Sequence, residues 1–389
     1  MEYTTISADT HIDIPWLPAD LFVSNASEQF KQHMPRVEES DRGSMWKVDG
    51  QVLGWVAGAG LKSTWEPYEA GLSKQFDDMA ATGFFADGDK GDFHPTTPHL
   101  RLGDQDLDGI QAEVIYGILG LGGGFPVGPN DYGITDADRT VLIYDIYNEW
   151  LAGFCSSHPD RFAGLACLTS HDPQVAANQL RKAAEMGLRG GEINVSQAVK
   201  PIYHESWDPL WAVSEECRMP VSFHTLGIGH RRPDPEDRKR LEWVDFGILM
   251  VIFQLSGAEF LASMAFSGAC DRYPGFDFVL GECGIGWIPY VLYRMDEEYK
   301  ESLFHINLSM LPSELWRRQG YSTFQHESPG ADAIAAIGED NVMWGSDYPH
   351  HDGVWPNSQR VIKEDLGHLG QPVIDKITCH NAAKLYRFN

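Results

Sequence analysis

Short apolar segments alternate with longer amphipathic segments along most of the chain. Eight of the short segments are predicted strands, because each is an apolar run that ends in polar residues. They are TTISAD (4–9), AEVIYGI (112–118), FAGLACL (162–168), LRGGEINV (188–195), MPVSFHT (219–225), FDFVLGE (276–282), YSTFQH (321–326) and NVMWGSD (341–347). Apolar residues at helical spacing predict helices between them, for example over 135–158, 172–187 and 372–388. Strands alternating with helices in this number predict an α/β fold, the (β/α)8 or TIM barrel.

A long segment, 13–111, separates the first predicted strand from the second. It is too long to be a loop, and it contains four of the chain's 12 tryptophans. We therefore expect a single barrel domain over 1–389, with 13–111 inserted as a cap over the barrel mouth. Long insertions of this kind usually have a function. The alternative is a cap that only shields the core or forms a subunit interface.

Carboxylate and imidazole side chains follow the predicted strands where the chain leaves the core. In a barrel these strand ends meet at one face, which is where catalytic residues lie. Asp9 and His11 point the same way, because side chains two residues apart share a face of a strand. The other members of the set, in chain order, are Glu192, His224, Glu282, His326, Asp347, His350 and His351. One such residue alone could be a core histidine or a solvated carboxylate, but together they would repel or stay unpaired without a cation.

The types of these side chains favour particular metals. Four of them are carboxylates, namely Asp9, Glu192, Glu282 and Asp347, and none is a cysteine. Zinc sites favour histidine, whereas oxygen-rich sites with some imidazole suit iron or manganese. Four carboxylates exceed what one divalent ion with an open position needs, but they suit two ions that share a bridging carboxylate. The prediction is therefore two metal ions, with iron favoured and manganese or zinc as alternatives.

Five stretches carry a further signal. They are SADTHID (7–13), FHTLG (223–227), GECGIGWIPYVLYRMD (281–296), WGSDYPHHDGVWP (344–356) and HNAAKLY (380–386). Together they resemble the amidohydrolase superfamily, and in particular its decarboxylase-like branch, over nearly the whole chain. The resemblance implies the barrel fold, with Asp9, His11, His224 and Asp347 as metal ligands. It also implies a departure, because the strand-six histidine that often acts as general acid in the decarboxylases is Glu282 here.

Glu192 is a second departure from the one-metal members of this superfamily. In two-metal members the fourth strand often supplies a bridging ligand, such as a carbamylated lysine. On its ligand types, the chain resembles the small subgroup of non-haem dinuclear iron monooxygenases that includes a diterpenoid hydroxylase of the platensimycin type. This resemblance implies one iron held by Asp9, His11 and Asp347, a bridging Glu192, and a second iron held by His224, Glu282 and one of His326, His350 and His351.

Three functions fit these residues. The favoured one is a monooxygenase that uses O2 and an external electron donor to hydroxylate an unactivated C–H bond. Its substrate would be a bulky organic molecule such as a terpenoid, and Glu192, Glu282 and Asp347 would be the catalytic carboxylates. The alternative is a zinc or manganese hydrolase or decarboxylase, in which the metal lowers the pKa of water and Asp347 is the base. The third is a protein without catalytic activity that keeps a vestigial metal.

Three further residues are candidate substrate contacts. His230 and Arg231 lie in a basic patch after the fifth strand, where they could bind a substrate carboxylate. They could equally lie in a solvated loop and pair with its acidic residues. Trp287 could shape the pocket wall, although packing between the sixth strand and its helix explains it as well.

Charge and composition exclude several partners. The net charge of −26 argues against nucleic acid and against anionic membrane surfaces. The six cysteines form no C-x-x-C pair, and the first residues, MEYTTISADT, lack the features of a signal peptide, so we expect a cytoplasmic protein. The apolar segment 247–266 includes Gln254 and Glu259, which favours a buried or subunit-interface helix over a membrane span. A homo-oligomer that acts on a small organic molecule is therefore expected.

Overall fold

Eight parallel strands form the main sheet of the protein. The structure is a computed structural model that describes residues 3–58, 67–88, 90–119, 137–195, 198, 200–224 and 235–388. The strands follow one another in the order β1-β5-β6-β7-β8-β9-β10-β11. Their bounds are β1 Ile6–His11, β5 Ala112–Tyr116, β6 Phe162–Leu168, β7 Gly190–Ile193, β8 Val221–His224, β9 Phe278–Gly281, β10 Gly320–Phe324 and β11 Val342–Trp344. Each predicted strand overlaps one of these, so the predicted TIM barrel is confirmed.

The first and last strands meet and nearly close the barrel. The backbone N–H of Asp347 donates to the carbonyl of Asp9 (2.9 Å), and the N–H of His11 donates to the carbonyl of Tyr348 (2.7 Å). The hydroxyl groups of Ser7 and Ser346 lie 3.0 Å apart in the same seam. The start of the chain is therefore joined directly to the segment after β11.

Helices pack around the sheet on its outer side. Their bounds are α5 Ala137–Ser156, α6 Pro173–Glu185, α7 Asp208–Cys217, α8 Pro235–Ile252, α9 Gly257–Phe266, α10 Ala269–Arg272, α11 Ile288–Glu298, α12 Pro312–Gln319, α13 Ser328–Ala331, α14 Ile334–Ile337, α15 Ser358–Leu366, α16 Gln371–Asp375 and α17 Asn381–Tyr386. The carboxylate of Asp172 caps α6 by accepting from the N–H groups of Gln174 and Val175. The helix predicted over 372–388 is interrupted, because a π-helical turn, Lys376–His380, separates α16 from α17.

The described residues between β1 and β5 form a small sheet and four α-helices. Antiparallel strands β2 Arg36–Ser40, β3 Gly43–Val48 and β4 Gln51–Trp55 pair in sequence order, and the helices are α1 Leu21–Asn25, α2 Lys74–Ala81, α3 Phe84–Gly88 and α4 Pro98–Asp108. A cluster of buried aromatic side chains joins Trp16, Phe76 and Phe84 of this segment to Tyr348 and Trp355. The insertion thus packs against the residues that follow the last barrel strand.

Alternate residues of the strands fill the barrel interior. One buried cluster contains Ile6 and Ala8 of β1 together with Val114 and Tyr116 of β5, which is the spacing of side chains on one strand face. The same cluster includes Leu385 and Tyr386 of α17. Because Arg189, just before β7, donates to the carbonyl of Tyr386, α17 lies at the amino ends of the strands and closes that end of the barrel. The open end is therefore formed by the carboxyl ends of the strands.

A single helical stretch in the described part of the chain, Trp243–Phe266, has the length and apolar composition of a membrane span. It covers α8, α9 and the 3-10 turn between them. Less than half of its most apolar portion is buried, at 44%. A core helix of a globular enzyme has the same composition, so this observation is weak support for a membrane span.

Candidate metal centre

Asp9 and His11 reach the open end of the barrel from β1. The register between β1 and β5 shifts between Ser7 and Thr10, so the strand carries an irregularity where Asp9 lies. One carboxylate oxygen of Asp9, Oδ2, accepts hydrogen bonds from the N–H of Glu282 (2.9 Å) and the hydroxyl of Thr323 (2.7 Å). Its other oxygen, Oδ1, lies 3.4 Å from His11 Nε2. The aspartate is thus fixed on one side and leaves an oxygen for the centre of the site.

Two overlapping groups of candidate ligands meet at His11. The first consists of Asp9, His11 and His224, and Nε2 of His224 lies 3.7 Å from Asp9 Oδ1. In the second group, Oδ1 of Asp347 lies 3.1 Å from His11 Nε2 and 3.0 Å from His350 Nδ1. Glu282 completes the second group, with Oε2 3.4 Å from His224 Nε2. These residues follow β1, β8, β9 and β11, as the strand-end pattern predicted.

Four of these side chains have buried polar atoms without a hydrogen-bond partner among the described residues. The atoms are Asp9 Oδ1, His11 Nε2, His224 Nε2 and both carboxylate oxygens of Asp347. Leaving buried polar groups unpaired costs about 1–3 kcal/mol each, so a group of them is rare without a ligand. Nitrogen and oxygen donors that face one another in this way fit a divalent cation such as manganese or zinc.

Burial and mutual charge shift the pKa values of the site in opposite directions. Burial tends to raise the pKa of Asp9, but the imidazoles of His11 and His224 outweigh it and lower that pKa to about 2. The pKa of His11 is raised to about 9, because Asp347 and Asp9 outweigh burial and the His350 charge. Burial, together with the neighbouring carboxylates, raises the pKa of Glu282 well above its usual range. The site therefore combines a carboxyl group whose pKa is lowered, Asp9, with one whose pKa is raised, Glu282.

Glu282 and Asp347 have an unusual backbone conformation. Both leave their strands in the left-handed region, with φ of +50° and +54°. Residues with a Cβ rarely adopt this region, and such strain, about 1–3 kcal/mol per residue, is concentrated at functional sites. Here the strain is held by hydrogen bonds that both residues donate to Asp9 from their backbone N–H groups.

Two further residues support the site and were missed by the sequence analysis. Asp13 Oδ2 lies 2.9 Å from His350 Nε2, so it orients the imidazole that faces Asp347. Arg101 of α4 is fully buried and donates to the carbonyl of His11 (3.0 Å) and to the carboxylate of Glu113. Asp13 could have been found, because it continues the alternate spacing of Asp9 and His11. Arg101 carries no local signal, since its partners lie on two separate strands.

Glu192 does not join the group of candidate ligands. Its Oε1 accepts hydrogen bonds from the backbone N–H of Gly117 (2.5 Å) and from the thiol of Cys167 (3.3 Å). Burial raises the pKa of this carboxyl group to about 8. A Cβ on Gly117 would lie 3.0 Å from Glu192 Oε1, so the close approach depends on this glycine. The predicted bridging role thus has no support in the geometry, because the side chain is engaged by the neighbouring strand end.

The remaining predicted site residues lie outside the cluster. His326 is 58% exposed and its Nδ1 pairs with Asp365 at 2.9 Å. His351 lies near the rings of Phe76 and Phe246, at centroid distances of 6.1 and 5.7 Å. Trp287 donates from Nε1 to the carbonyl of Cys283 (2.6 Å), in line with its packing interpretation. His230 and Arg231 lie outside the described residues.

Comparisons with known proteins show which proteins this chain resembles. The sequence profile of a family described as Amidohydrolase matches residues 117–388. A gamma-resorcylate decarboxylase from Rhodococcus jostii is 27% identical over 287 residues, which cover 66% of this chain and 80% of that protein. An amidohydrolase from Mycobacterium avium subsp. paratuberculosis has a similar structure, with a TM-score of 0.74, 19% identity and coverage of 99% and 100% of the two chains. A 5-carboxyvanillate decarboxylase from Novosphingobium aromaticivorans, solved with bound manganese, has a TM-score of 0.65, 20% identity and coverage of 99% and 97%.

These findings correct the functional prediction. The predicted dinuclear iron monooxygenase is wrong, because the similar proteins whose names state a reaction are decarboxylases, and one of them was solved with bound manganese. Nothing in the comparisons supports iron, O2 or an external electron donor. The error arose from the role predicted for Glu192. Its position at a strand end indicated where the carboxylate lies, but not that it accepts hydrogen bonds from Gly117 and Cys167. The alternative prediction, a metal-dependent hydrolase or decarboxylase, is the one that the comparisons support.

Proposed function

Because this chain belongs to the amidohydrolase family, we propose that it is a metal-dependent decarboxylase that acts on a small hydroxylated aromatic carboxylic acid. The observation that carries the proposal is the set of unpartnered, buried nitrogen and oxygen atoms of Asp9, His11, His224 and Asp347. The names of its relatives, gamma-resorcylate and 5-carboxyvanillate decarboxylases, supply the class of reaction and substrate.

The four residues with unpartnered atoms would hold one divalent cation, with manganese favoured and zinc as the alternative. When bound, the cation supplies a Lewis acid that binds a substrate oxygen and stabilises negative charge there. A cation is also needed for a simpler reason. The carboxylates of Asp9 and Asp347 would otherwise repel a substrate carboxylate at the barrel mouth. The bridging role of Glu192 was the reason to expect a second ion, so the proposal requires only one.

Glu282 is the proton donor in this proposal. Burial, together with the charges of Asp347, Asp352 and Asp9, raises the pKa of its carboxyl group well above the usual range, which favours the protonated form. In decarboxylation, the bond between the ring carbon and the carboxylate breaks, CO2 leaves, and the ring carbon takes up a proton. Glu282 occupies the strand-six position at which a histidine was expected. A buried carboxyl group that keeps its proton can supply the same proton to the ring carbon.

His351 would contact the substrate ring or one of its substituents. Its Nε2 is buried and has no hydrogen-bond partner among the described residues. The rings of Phe76 from the insertion and Phe246 from α8 flank its imidazole. Aromatic walls with a few convergent polar groups are typical of pockets for small organic ligands. This arrangement suits a flat ring with a polar substituent.

Metal analysis combined with a substrate panel tests the proposal. Protein stripped with a chelator would be reloaded with manganese or zinc and supplied with hydroxylated benzoic acids, and CO2 release would be followed with product chromatography. We expect metal-dependent CO2 release that is lost in His11→Ala and retained in His326→Ala, a matched strand-end histidine outside the cluster. Failure of the wild type to bind a divalent cation would contradict the proposal. So would hydrolysis of an amide or lactone without any CO2 release across the panel.

A further inference from the structure

Glu327 holds the segment that connects β9 to α11. It follows β10 in the chain and is half-buried. Its carboxylate accepts hydrogen bonds from two successive backbone N–H groups, from Ile285 at Oε2 and from Gly286 at Oε1, both at 2.7 Å. We call this pair of bonds the Glu327 fork. A two-point contact fixes direction as well as distance, and here it holds the chain three and four residues after Glu282, the proposed proton donor.

The close approach of this carboxylate depends on glycines. A Cβ built on Gly286 would lie 2.6 Å from Glu327 Oε1, and one built on Gly284 would lie 3.0 Å from Oε2. On the other side of the carboxylate, a Cβ built on Gly330 of α13 would lie 2.9 Å from Glu327 Cδ. A side chain at any of these positions would crowd the carboxylate. The sequence GIG (284–286) therefore makes room for the Glu327 fork.

The Glu327 fork is not a helix cap. Helix α11 begins at Ile288, and its N-cap residue is Trp287. The N–H groups that a helix leaves free at its start are those of the N-cap and of the first turn. Ile285 and Gly286 lie before that point, so their bonds to Glu327 add nothing to the hydrogen bonding of the helix. They fix the path of the chain between the strand end and the helix.

This path decides where the side chain of Glu282 points. Glu282 has a left-handed backbone, with φ of +50°, and Gly284 follows with φ of +63°. The N–H of Glu282 is held by Asp9 Oδ2 at 2.9 Å and by Thr323 Oγ1 at 2.6 Å. These bonds fix the chain on the strand side of Glu282, and the Glu327 fork fixes it on the helix side. The strained conformation is therefore held from both directions.

We propose that Glu327 is a positioning residue for the proton donor, and that its fork keeps the carboxyl group of Glu282 beside His224 at the barrel mouth. Oε2 of Glu282 lies 3.4 Å from His224 Nε2 in this arrangement. The inference rests on the proposed function, because Glu327 is given a role only through Glu282. Its carboxylate contacts backbone groups rather than any of the four proposed metal ligands, so metal binding should not depend on it.

Replacing Glu327 with glutamine removes half of the fork. The amide has the length of the carboxylate but a single oxygen, so it leaves one of the two N–H groups without its acceptor. We expect kcat for CO2 release to fall by roughly 10- to 100-fold, since a misplacement of about 1 Å can cost about 10² in rate. KM and the manganese content should stay close to those of the wild type. Steady-state kinetics and elemental analysis measure these quantities, and an unchanged kcat would overturn the proposal.

Glu314→Gln is the matched control. Glu314 also accepts from a backbone N–H, that of Leu311 at 2.9 Å, but it lies on α12 and serves a single donor. Glutamine can still accept from that donor, so kcat should match that of the wild type. Equal losses of kcat in Glu314→Gln and Glu327→Gln would overturn the proposal.

A second variant disturbs the Glu327 fork from the other side. Gly286→Ala introduces a Cβ that would displace the carboxylate of Glu327, so the same selective loss of kcat is expected. Circular dichroism would check that each variant remains folded. A folded Gly286→Ala variant with normal kcat would contradict the dependence of Glu282 on the fork.

A double variant separates positioning from a merely structural role. If Glu327 acts only through Glu282, adding Glu327→Gln to Glu282→Gln should lower kcat no further. A structural role would lower kcat by the same factor in both backgrounds, and that result would overturn the proposal. A wild type that releases no CO2 would overturn the proposed function and the role of Glu282 with it. An active wild type with an unchanged Glu327→Gln variant would overturn the positioning role alone.

Discussion

Asp9 organises the candidate site through both its side chain and its backbone. Its carboxylate accepts a hydrogen bond from the N–H of Glu282, and its carbonyl accepts one from the N–H of Asp347. These two residues have left-handed backbones, so one residue of β1 fixes the strained ends of β9 and β11. A single residue therefore positions a proposed proton donor and a proposed metal ligand that lie 65 positions apart in the sequence.

Replacing Glu282 with glutamine separates proton donation from metal binding. We expect kcat to fall by roughly 10²–10⁴-fold, because the amide cannot donate a carboxyl proton to the ring carbon. The metal content should stay close to that of the wild type, since Glu282 is not among the residues with unpartnered atoms. Steady-state kinetics and elemental analysis on the same preparation provide the two measurements. A variant with normal kcat would exclude Glu282 as the donor.

His351 offers a test of substrate contact. His351→Phe keeps a ring between Phe76 and Phe246 but removes Nε2, and the loss of one hydrogen bond costs about 0.5–1.5 kcal/mol. KM should therefore rise by about two- to tenfold with a smaller effect on kcat. His351→Gln retains a polar group and should recover part of the loss. If KM is unchanged in His351→Phe, the substrate does not contact this side chain.

At the residue scale, the sequence predicted which side chains gather at the barrel mouth better than it predicted their roles. The structure brings Asp9, His11 and His224 close together, and their positions at strand ends follow from the strand pattern alone. The role of Glu192 depended on the backbone N–H of Gly117, 75 residues earlier, which no local pattern reveals. His326 ends a strand in the same way, yet its imidazole turns to Asp365 on α15.

Among the elements, α4 links the insertion to the barrel. Arg101 on this helix holds the end of β1 through the carbonyl of His11 and the hydroxyl of Thr10. Asp108, at the end of the helix, accepts hydrogen bonds from the N–H and the hydroxyl of Ser358, the first residue of α15. The insertion therefore supports the end of β1 that carries Asp9 and His11.

Asp108 should make the stability of the fold depend on pH. Burial, opposed by the hydrogen bonds from Ser358, raises the pKa of this carboxyl group to about 7. Because this pKa is higher in the folded state than in the unfolded state, Asp108 contributes most to the free energy of unfolding below about pH 4. This contribution is lost as the pH rises to about 7. Asp108→Asn should therefore increase the free energy of unfolding at pH 8 by on the order of 1 kcal/mol or more, with little change at pH 4.

Urea unfolding of the wild type and Asp108→Asn at pH 4 and pH 8 measures this effect. The difference between the two proteins isolates Asp108 from the other titrating groups. The asparagine can still accept from the Ser358 N–H and donate to its hydroxyl, so the local geometry is retained. An equal or lower stability of the variant at pH 8 would contradict the argument.

The strands were predictable because each apolar run ends abruptly in polar residues where it leaves the core. The helices of the insertion were not, since its short elements, such as α1 and α3, contain five residues each. Elements of that size gain their stability from tertiary contacts rather than from their own sequence. The packing of the insertion against Tyr348 and Trp355 also depends on residues far apart in the sequence, so no local pattern predicted it.

For the whole molecule, the cation should act as a structural ligand as well as a catalyst. It would neutralise ionised carboxylates from β1 and from the segment after β11. These are the two parts of the chain that meet where the barrel closes. Removal of the metal should lower the melting temperature, and readdition of manganese should restore it. A ligand that binds only the folded state stabilises that state by about 2.7 kcal/mol when the ligand concentration is a hundred times its Kd. Differential scanning calorimetry of stripped and reloaded protein would measure the shift. Equal melting temperatures would show that no cation binds the folded state in the proposed site.

The contact between Ser7 and Ser346 joins segments that are 339 positions apart, and α17 closes the end of the same barrel. During synthesis on the ribosome, β1 emerges early but finds one of its two neighbours only after β11 has followed. The apolar residues of β1 therefore stay uncovered on one side while all of the strands between β1 and β11 are synthesised. Nascent chains of this protein are accordingly expected to need protection by chaperones, and a chain that stops before β11 would lack both a closed barrel and a complete set of ligands.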